Sequence, residues 1–407
     1  MNNDELKDQH EFKYVNEQIV EPSKAKKLFR RIGFIFVAVM VPTGMIVGIL
    51  WASGKVFQDR ETTDETSYFT IERDMTTKTD EKDTTGRAGD KTKELTVKEL
   101  RKVAEEAGKS VVTIITYGDE QIDVGQEPVS ISTGIIIKQG LNILILTDYD
   151  SVRKVERIDI KFSDGKMYTG KYKSGDANSR LAILTIAESE LDGTTLKLVK
   201  EAKLGNSLTA KKGNQVIYLG NPINESLYTD YGMIAGVDKL VVIDRQFKVC
   251  HTNINAAGNA NGFIVDVDGQ VIGIVININN TSQKVLSVIG MSDLESIIIR
   301  LSNGKDIPYL GINGQEITDD IISNVNENMP YGVFVIEAIL DSPVYNAGIR
   351  NGDIIVKMGS KEIRNVSDIG EVLEEVSIGD SIVVEIRRQE RDEYSSYKIE
   401  VVLGKRN

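Results

Sequence analysis

Acid–base and nucleophilic chemistry near neutral pH draws first on histidine and cysteine, and this chain is nearly bare of both. It has two histidines, His10 and His251, and one cysteine, Cys250. Acyl transfer needs a nucleophile whose proton is taken by a base within hydrogen-bonding reach. Cys250 and His251 are adjacent in a β-rich run, and successive side chains on a strand point to opposite faces, so the two cannot work as a dyad. His10 precedes a long apolar stretch, on the other side of a membrane from everything after it. A lone cysteine excludes an internal disulfide and a thiolate metal site. No metal and no cofactor is expected.

The elements that would position such residues are readable from composition shifts. Ile32 to Ala52 carries no charge, and at about 1.5 Å per residue it is long enough for a bilayer core of about 30 Å. Lys24, Lys26, Lys27, Arg30 and Arg31 precede it, and Lys55 follows nearly alone. This asymmetry predicts a single-pass cell-membrane anchor, with residues 1–31 as a cytoplasmic tail and the main domains outside the membrane. Residues 53–93, rich in Thr, Asp, Glu and Lys, read as a disordered tether with little to bury. Residues 94–109 read as an amphipathic helix. From Ser110 to about Asn303, short apolar runs punctuated by Gly, Asp and Asn predict an all-β barrel or sandwich. Residues 304–407 read as a small αβ module, with one helix in SDIGEVLEEV N-capped by Ser367 or Asp368. The net charge of −12 argues against nucleic acid, since phosphate binding needs a basic surface.

In order and spacing these segments resemble the HtrA family of trypsin-like serine proteases. The carrying stretches are ILTDYDSV (145–152), FSDGKMYTGK (162–171), GDANSRLAILTI (175–186), LGNSLTAKKGNQVIYLGNPI (204–223) and INAAGNANGFIVDVDGQVIGIV (254–275). YLGI (309–312), the run from Gly332 to Ile363 and SDIGEVLEEVSIGDSIVVEIRR (367–388) resemble the PDZ domain that follows the protease in that family. The resemblance implies a chymotrypsin-like double β-barrel over 94–303 and a PDZ domain over 304–407.

Carried over residue by residue, the resemblance puts Asp150 at the histidine position, Arg180 at the aspartate position and Ala260 at the serine position. Gly258 and Asn259 survive from the turn that forms the oxyanion hole, and Asn261 replaces the glycine after the serine. Asp150 and Arg180 are expected to pair across the two sides of the cleft; if the pair is partly buried, losing one partner costs about 3–5 kcal/mol. In the PDZ domain, Tyr309, Leu310, Gly311 and Ile312 are expected to cradle a peptide carboxylate, with Ile369 and Leu373 lining the side-chain pocket.

These substitutions lead to the expectation that the chain is not an enzyme. It is read as a pseudoprotease that binds, senses or scaffolds peptide C-termini or unfolded segments, self-associating as a trimer or mixing into oligomers of active relatives. The alternative is an active serine endopeptidase of envelope protein quality control with a non-standard site, another serine with lysine as base. A third reading is a structural envelope protein whose PDZ module binds nothing.

Overall fold

The computed structural model describes residues 69–70, 94–118, 128–221, 227–255, 260–276, 285–391 and 393–406. The expected tail, the stretch Ile32 to Ala52, most of the expected tether and the pair Gly258–Asn259 lie outside these residues. Among the described residues, no helix is long and apolar enough to cross a membrane.

Thr96 starts helix α1 (Val97–Ala107) with a reciprocal cap: its hydroxyl accepts the Glu99 N–H, and Glu99 accepts the Thr96 N–H. Six strands then close a barrel: β1 (Val111–Tyr117), β2 (Ser130–Lys138), β3 (Asn142–Asp148), β4 (Arg157–Lys161), β5 (Met167–Asp176) and β6 (Leu181–Ala187), in the order β1-β2-β3-β6-β5-β4. Its interior is filled by branched side chains such as Ile114, Ile136, Ile145, Ile160 and Leu184. Helix α2 (Gly193–Leu198) leads to a second ring. This comprises β7 (Lys203–Leu204), β8 (Gln215–Asn221), β9 (Tyr228–Val242), β10 (Arg245–Asn255), β11 (Asn261–Val265), β12 (Gln270–Ile276) and β13 (Val285–Gly290). The order β11-β8-β9-β10-β13-β12 closes through β11–β12, and β7 lies parallel to β12 at the edge.

A separate apolar layer joins the barrels. Leu146 and Leu181 of the first meet Leu219 and Phe263 of the second under helix α3 (Met291–Ser302), which contributes Leu294, Ile297, Ile298 and Leu301. Phe69 is buried in this layer, and its backbone N–H donates to Asn303 Oδ1 at 2.8 Å. The expectation that residues 53–93 have little to bury is corrected at this point. A single aromatic ring removes enough apolar surface to anchor on a hydrophobic seam even in a polar context.

The last hundred residues form β14 (Pro308–Tyr309), β15 (Ile312–Glu316), α4 (Asp319–Val325), β16 (Val333–Ala338), α5 (Pro343–Ala347), β17 (Ile354–Met358), β18 (Lys361–Glu362), α6 (Val366–Glu375), β19 (Ser381–Glu390), β20 (Glu393–Val402) and β21 (Gly404–Lys405). The main sheet runs β15-β16-β17-β19-β20. The N-cap of α6 is Asn365 rather than Ser367 or Asp368: Asn365 accepts the Asp368 N–H at 3.1 Å, and Asp368 accepts the Asn365 N–H. Asp368 is therefore the third helical residue of a capping box, which leaves the cap itself to the asparagine.

Candidate functional site

Between the barrels lies a cavity of about 310 Å³ lined by Asp148, Ser151, Ser179, Arg180, Ala260 and Asn261, among others. The first barrel supplies its charged wall. Asp148 ends β3, and Arg180 immediately precedes β6 with φ of 60°. The second barrel supplies Ala260, whose methyl is buried, and Gly262. Gly262 is at φ 135°, and a Cβ there would lie 2.4 Å from the Leu219 carbonyl oxygen, so only glycine lets β11 approach β8 this closely. Ser179 Oγ is buried and finds no hydrogen-bond partner among the described residues.

Arg180 Nη2 is 3.0 Å from Asp150 Oδ2 and 3.8 Å from Asp148 Oδ1, and Arg153 Nε holds the other Asp150 oxygen at 3.0 Å. The pair does not span the cleft. Asp150 follows β3 and Arg180 precedes β6, adjacent strands of one barrel, so the expected bridge between the two sides is corrected to a contact within one wall. Its weight changes too. With the side chains 44% and 34% exposed, solvent screening leaves about 0–1 kcal/mol. Asp148 is more sheltered: burial pushes its carboxyl above the usual carboxylate range, opposed by Arg180 and by donation from the Ser151 hydroxyl and N–H at 3.0 Å.

The loop Tyr309–Ile312 is formed as a receptor for a carboxylate, and one is bound to it. Asp244, in the two-residue turn between β9 and β10, accepts the N–H of Leu310 at 2.9 Å, of Gly311 at 2.9 Å on both oxygens, and of Ile312 at 2.7 Å. Its own N–H donates to the Ile312 carbonyl at 2.9 Å. Gly311 is at φ 97°, where a Cβ would meet Ser342 Cβ at 2.2 Å, so the loop depends on glycine. Ile369 and Leu373 are fully buried in the core with Leu310 and Ile312; they offer no open surface to an incoming side chain in this state. Sequence reasoning passed over Asp244, because an aspartate in a tight turn with φ of 62° is ordinary.

A third constellation lies on the outer ladder of the second barrel. His251 on β10 is directly paired with Ser287 on β13, and His251 Nδ1 is 2.8 Å from Ser287 Oγ. Asp238 on β9 lies 3.9 Å from Nε2 on the other side. Cys250, next in line, is buried on the opposite face, and burial pushes its thiol above the ordinary range.

Residues 132–274 match the trypsin-like peptidase domain and residues 308–399 the PDZ domain. The chain is 27% identical over 280 residues to the serine protease Do-like HtrB of Bacillus subtilis (strain 168), covering 63% of this chain and 59% of that protein. It is 27% identical over 285 residues to a probable periplasmic serine endoprotease DegP-like of Rickettsia prowazekii (strain Madrid E), covering 67% and 53%. In its order of domains and in these relatives the chain is similar to the HtrA type. Solved HtrA-type structures share its fold: the protease AlgW with decapeptide aligns with TM-score 0.56 at 18% identity over 75% of this chain and 98% of that one. The serine endoprotease from Yersinia pestis aligns at 0.53 and 19% over 77% and 100%. The chain thus spans little more than half the length of these two curated relatives.

The relatives correct the expectation that the chain is not an enzyme, because they are named serine proteases. The structure also corrects the premise behind that expectation, that the domains after residue 94 bring no nucleophile and proton acceptor together. Ser287 and His251 touch. Thirty-odd residues separate them in sequence, and only the strand register joins them. Position 260 itself holds a methyl group, so any hydrolysis by this chain draws its nucleophile from elsewhere.

Proposed function

We propose that this HtrA-type chain serves protein quality control on the outer side of a cell membrane, anchored through Ile32 to Ala52, by binding peptide C-termini or unfolded segments at its PDZ loop. Self-association as a trimer, or mixing with active relatives, would set several such loops side by side. The observation that carries this reading is the convergence of three consecutive N–H groups, from Leu310, Gly311 and Ile312, on one carboxylate. Backbone donors aimed this way capture chain termini without regard to the preceding sequence. Fluorescence anisotropy with octapeptides ending in Val, Leu or Phe tests it: the full chain should bind free-carboxylate forms saturably, amidated forms should not compete, and Gly311→Ala should abolish binding. Equal binding of acid and amide would sink the reading.

A second reading, hydrolysis from a non-standard site, is favoured by the Ser287–His251 contact. Its base is a histidine rather than the lysine expected from sequence; Asp238, 3.9 Å from Nε2, is beyond hydrogen-bond reach of the ring. A fluorophosphonate probe should then label one serine, and Ser287→Ala and His251→Ala should each abolish labelling. Labelling that survives both substitutions excludes this site.

A further inference from the structure

We propose that the PDZ loop already carries an internal ligand, the tip of the β9–β10 hairpin, and that external C-terminal carboxylates bind by displacing Asp244. The inference rests on the peptide-binding reading above and adds the competitor.

Asp244 reproduces both halves of strand-addition recognition. A peptide joining a sheet edge gives its N–H to the edge strand and its terminal carboxylate to backbone donors. Asp244 gives its N–H to the Ile312 carbonyl and its side-chain carboxylate to the N–H groups of residues 310–312. It is 3% exposed, so the donors it holds are closed to any other anion while it remains. The hairpin also lies along the helix that borders the groove. A Cβ on Gly370 of α6 would meet Arg245 Cγ at 3.7 Å, Gln246 Nε2 donates to Ser367 Oγ at 3.2 Å, and Arg245 Nη1 is 3.4 Å from Glu374. The space between β15 and α6, where an added strand would run, is occupied by the chain itself.

The closed state is also built to be left. Arg245 is buried, and its Nη2 has no hydrogen-bond partner among the described residues. Burial pushes the Asp244 carboxyl above the carboxylate range against the four backbone donations, so release into water recovers hydration energy. An incoming terminal carboxylate replaces those hydrogen bonds one for one. Where the loop is free only a tenth of the time, apparent affinity falls about tenfold.

The test uses the full chain and the octapeptides ending in Val, Leu or Phe, each as acid and amide, with wild type, Asp244→Gly and Asp244→Asn. Glycine suits the φ of 62° and keeps the turn; asparagine keeps the shape and removes the charge. Hydrogen exchange at the Leu310, Gly311 and Ile312 amides is followed without peptide. The expected result is faster exchange in both variants and binding of the acid peptides about tenfold tighter for Asp244→Gly, with Asp244→Asn between. Equal affinity and equal exchange in all three forms overturns the competition alone. Faster exchange with no peptide bound by any form makes Asp244 a structural plug, and overturns both the competition and the peptide-binding reading.

Discussion

Asp150 and Asp244 are the same side chain beside a strand end, one at the edge of the inter-barrel cleft, paired with Arg180, and one in the PDZ groove. Asp150 faces two guanidiniums, from Arg180 and Arg153, and stays 44% exposed. Asp244 is sealed from solvent and held by backbone N–H groups. The cleft thus offers charge pairs that water competes for, whereas the groove offers fixed donors that water cannot reach. Opposite charge is a poor guide to which carboxylate matters; the dryness of the partner set is a better one.

The comparison breaks most sharply where a dry carboxylate can be stranded. In the PDZ domain Asp353, 1% exposed, receives both Arg388 Nε and Nη2 at 2.7 Å. Arg388→Met should cost about 3–5 kcal/mol, read from the urea midpoint, because the buried charge loses its bidentate partner. In the cleft, Arg180→Gln should cost less than about 1 kcal/mol. Arg180→Gly should cost less still, since glycine accepts the φ of 60° without the penalty a Cβ incurs. Equal losses at Arg180 and Arg388 would erase the distinction.

Titration sharpens it further. The Asp148 carboxyl is raised by burial, so the folded chain holds that proton more tightly than the unfolded one. Stability from this group therefore falls as pH rises from its ordinary value through the raised one. Relative to Asp148→Asn, wild type should gain stability on acidification from neutral toward pH about 4. Glu106 on α1 has the opposite sign. Lys109 and Lys200 hold it down to about 2, so its contribution is present above the ordinary glutamate range and fades as pH falls through about 2. Being fully exposed, it should give the smallest effect of the set, lost in about 1 M salt, where the screening length is about 3 Å.

Much of the fold was legible because its signals are local. Runs such as NILILT and SISTGIIIK are strands on sight, and the amphipathic run over 94–109 holds α1. What escaped was tertiary. The β9–β10 hairpin is partly solvated along much of β9, with Val237, Val241 and Tyr228 exposed, so only its KLVVI portion stood out. Phe69 sits in polar sequence that gives no hint of the seam it joins, where its partner Asn303 is more than two hundred residues along the chain. The positions of Asp150, Arg180 and Ala260 were readable; the distances among them were not. His251 is read in sequence beside Cys250, whereas Ser287 is its neighbour only through register.

Strand β10 leaves Asp244 at one end and at the other reaches Asn255, a few residues short of Ala260. At about 3.4 Å per residue it is a rod of about 35 Å with one weak joint, the register slip beside His251. If the tip leaves its seat as proposed, the strand it belongs to is the one that carries His251, so occupancy of the groove and the setting of the His251–Ser287 contact share a single element.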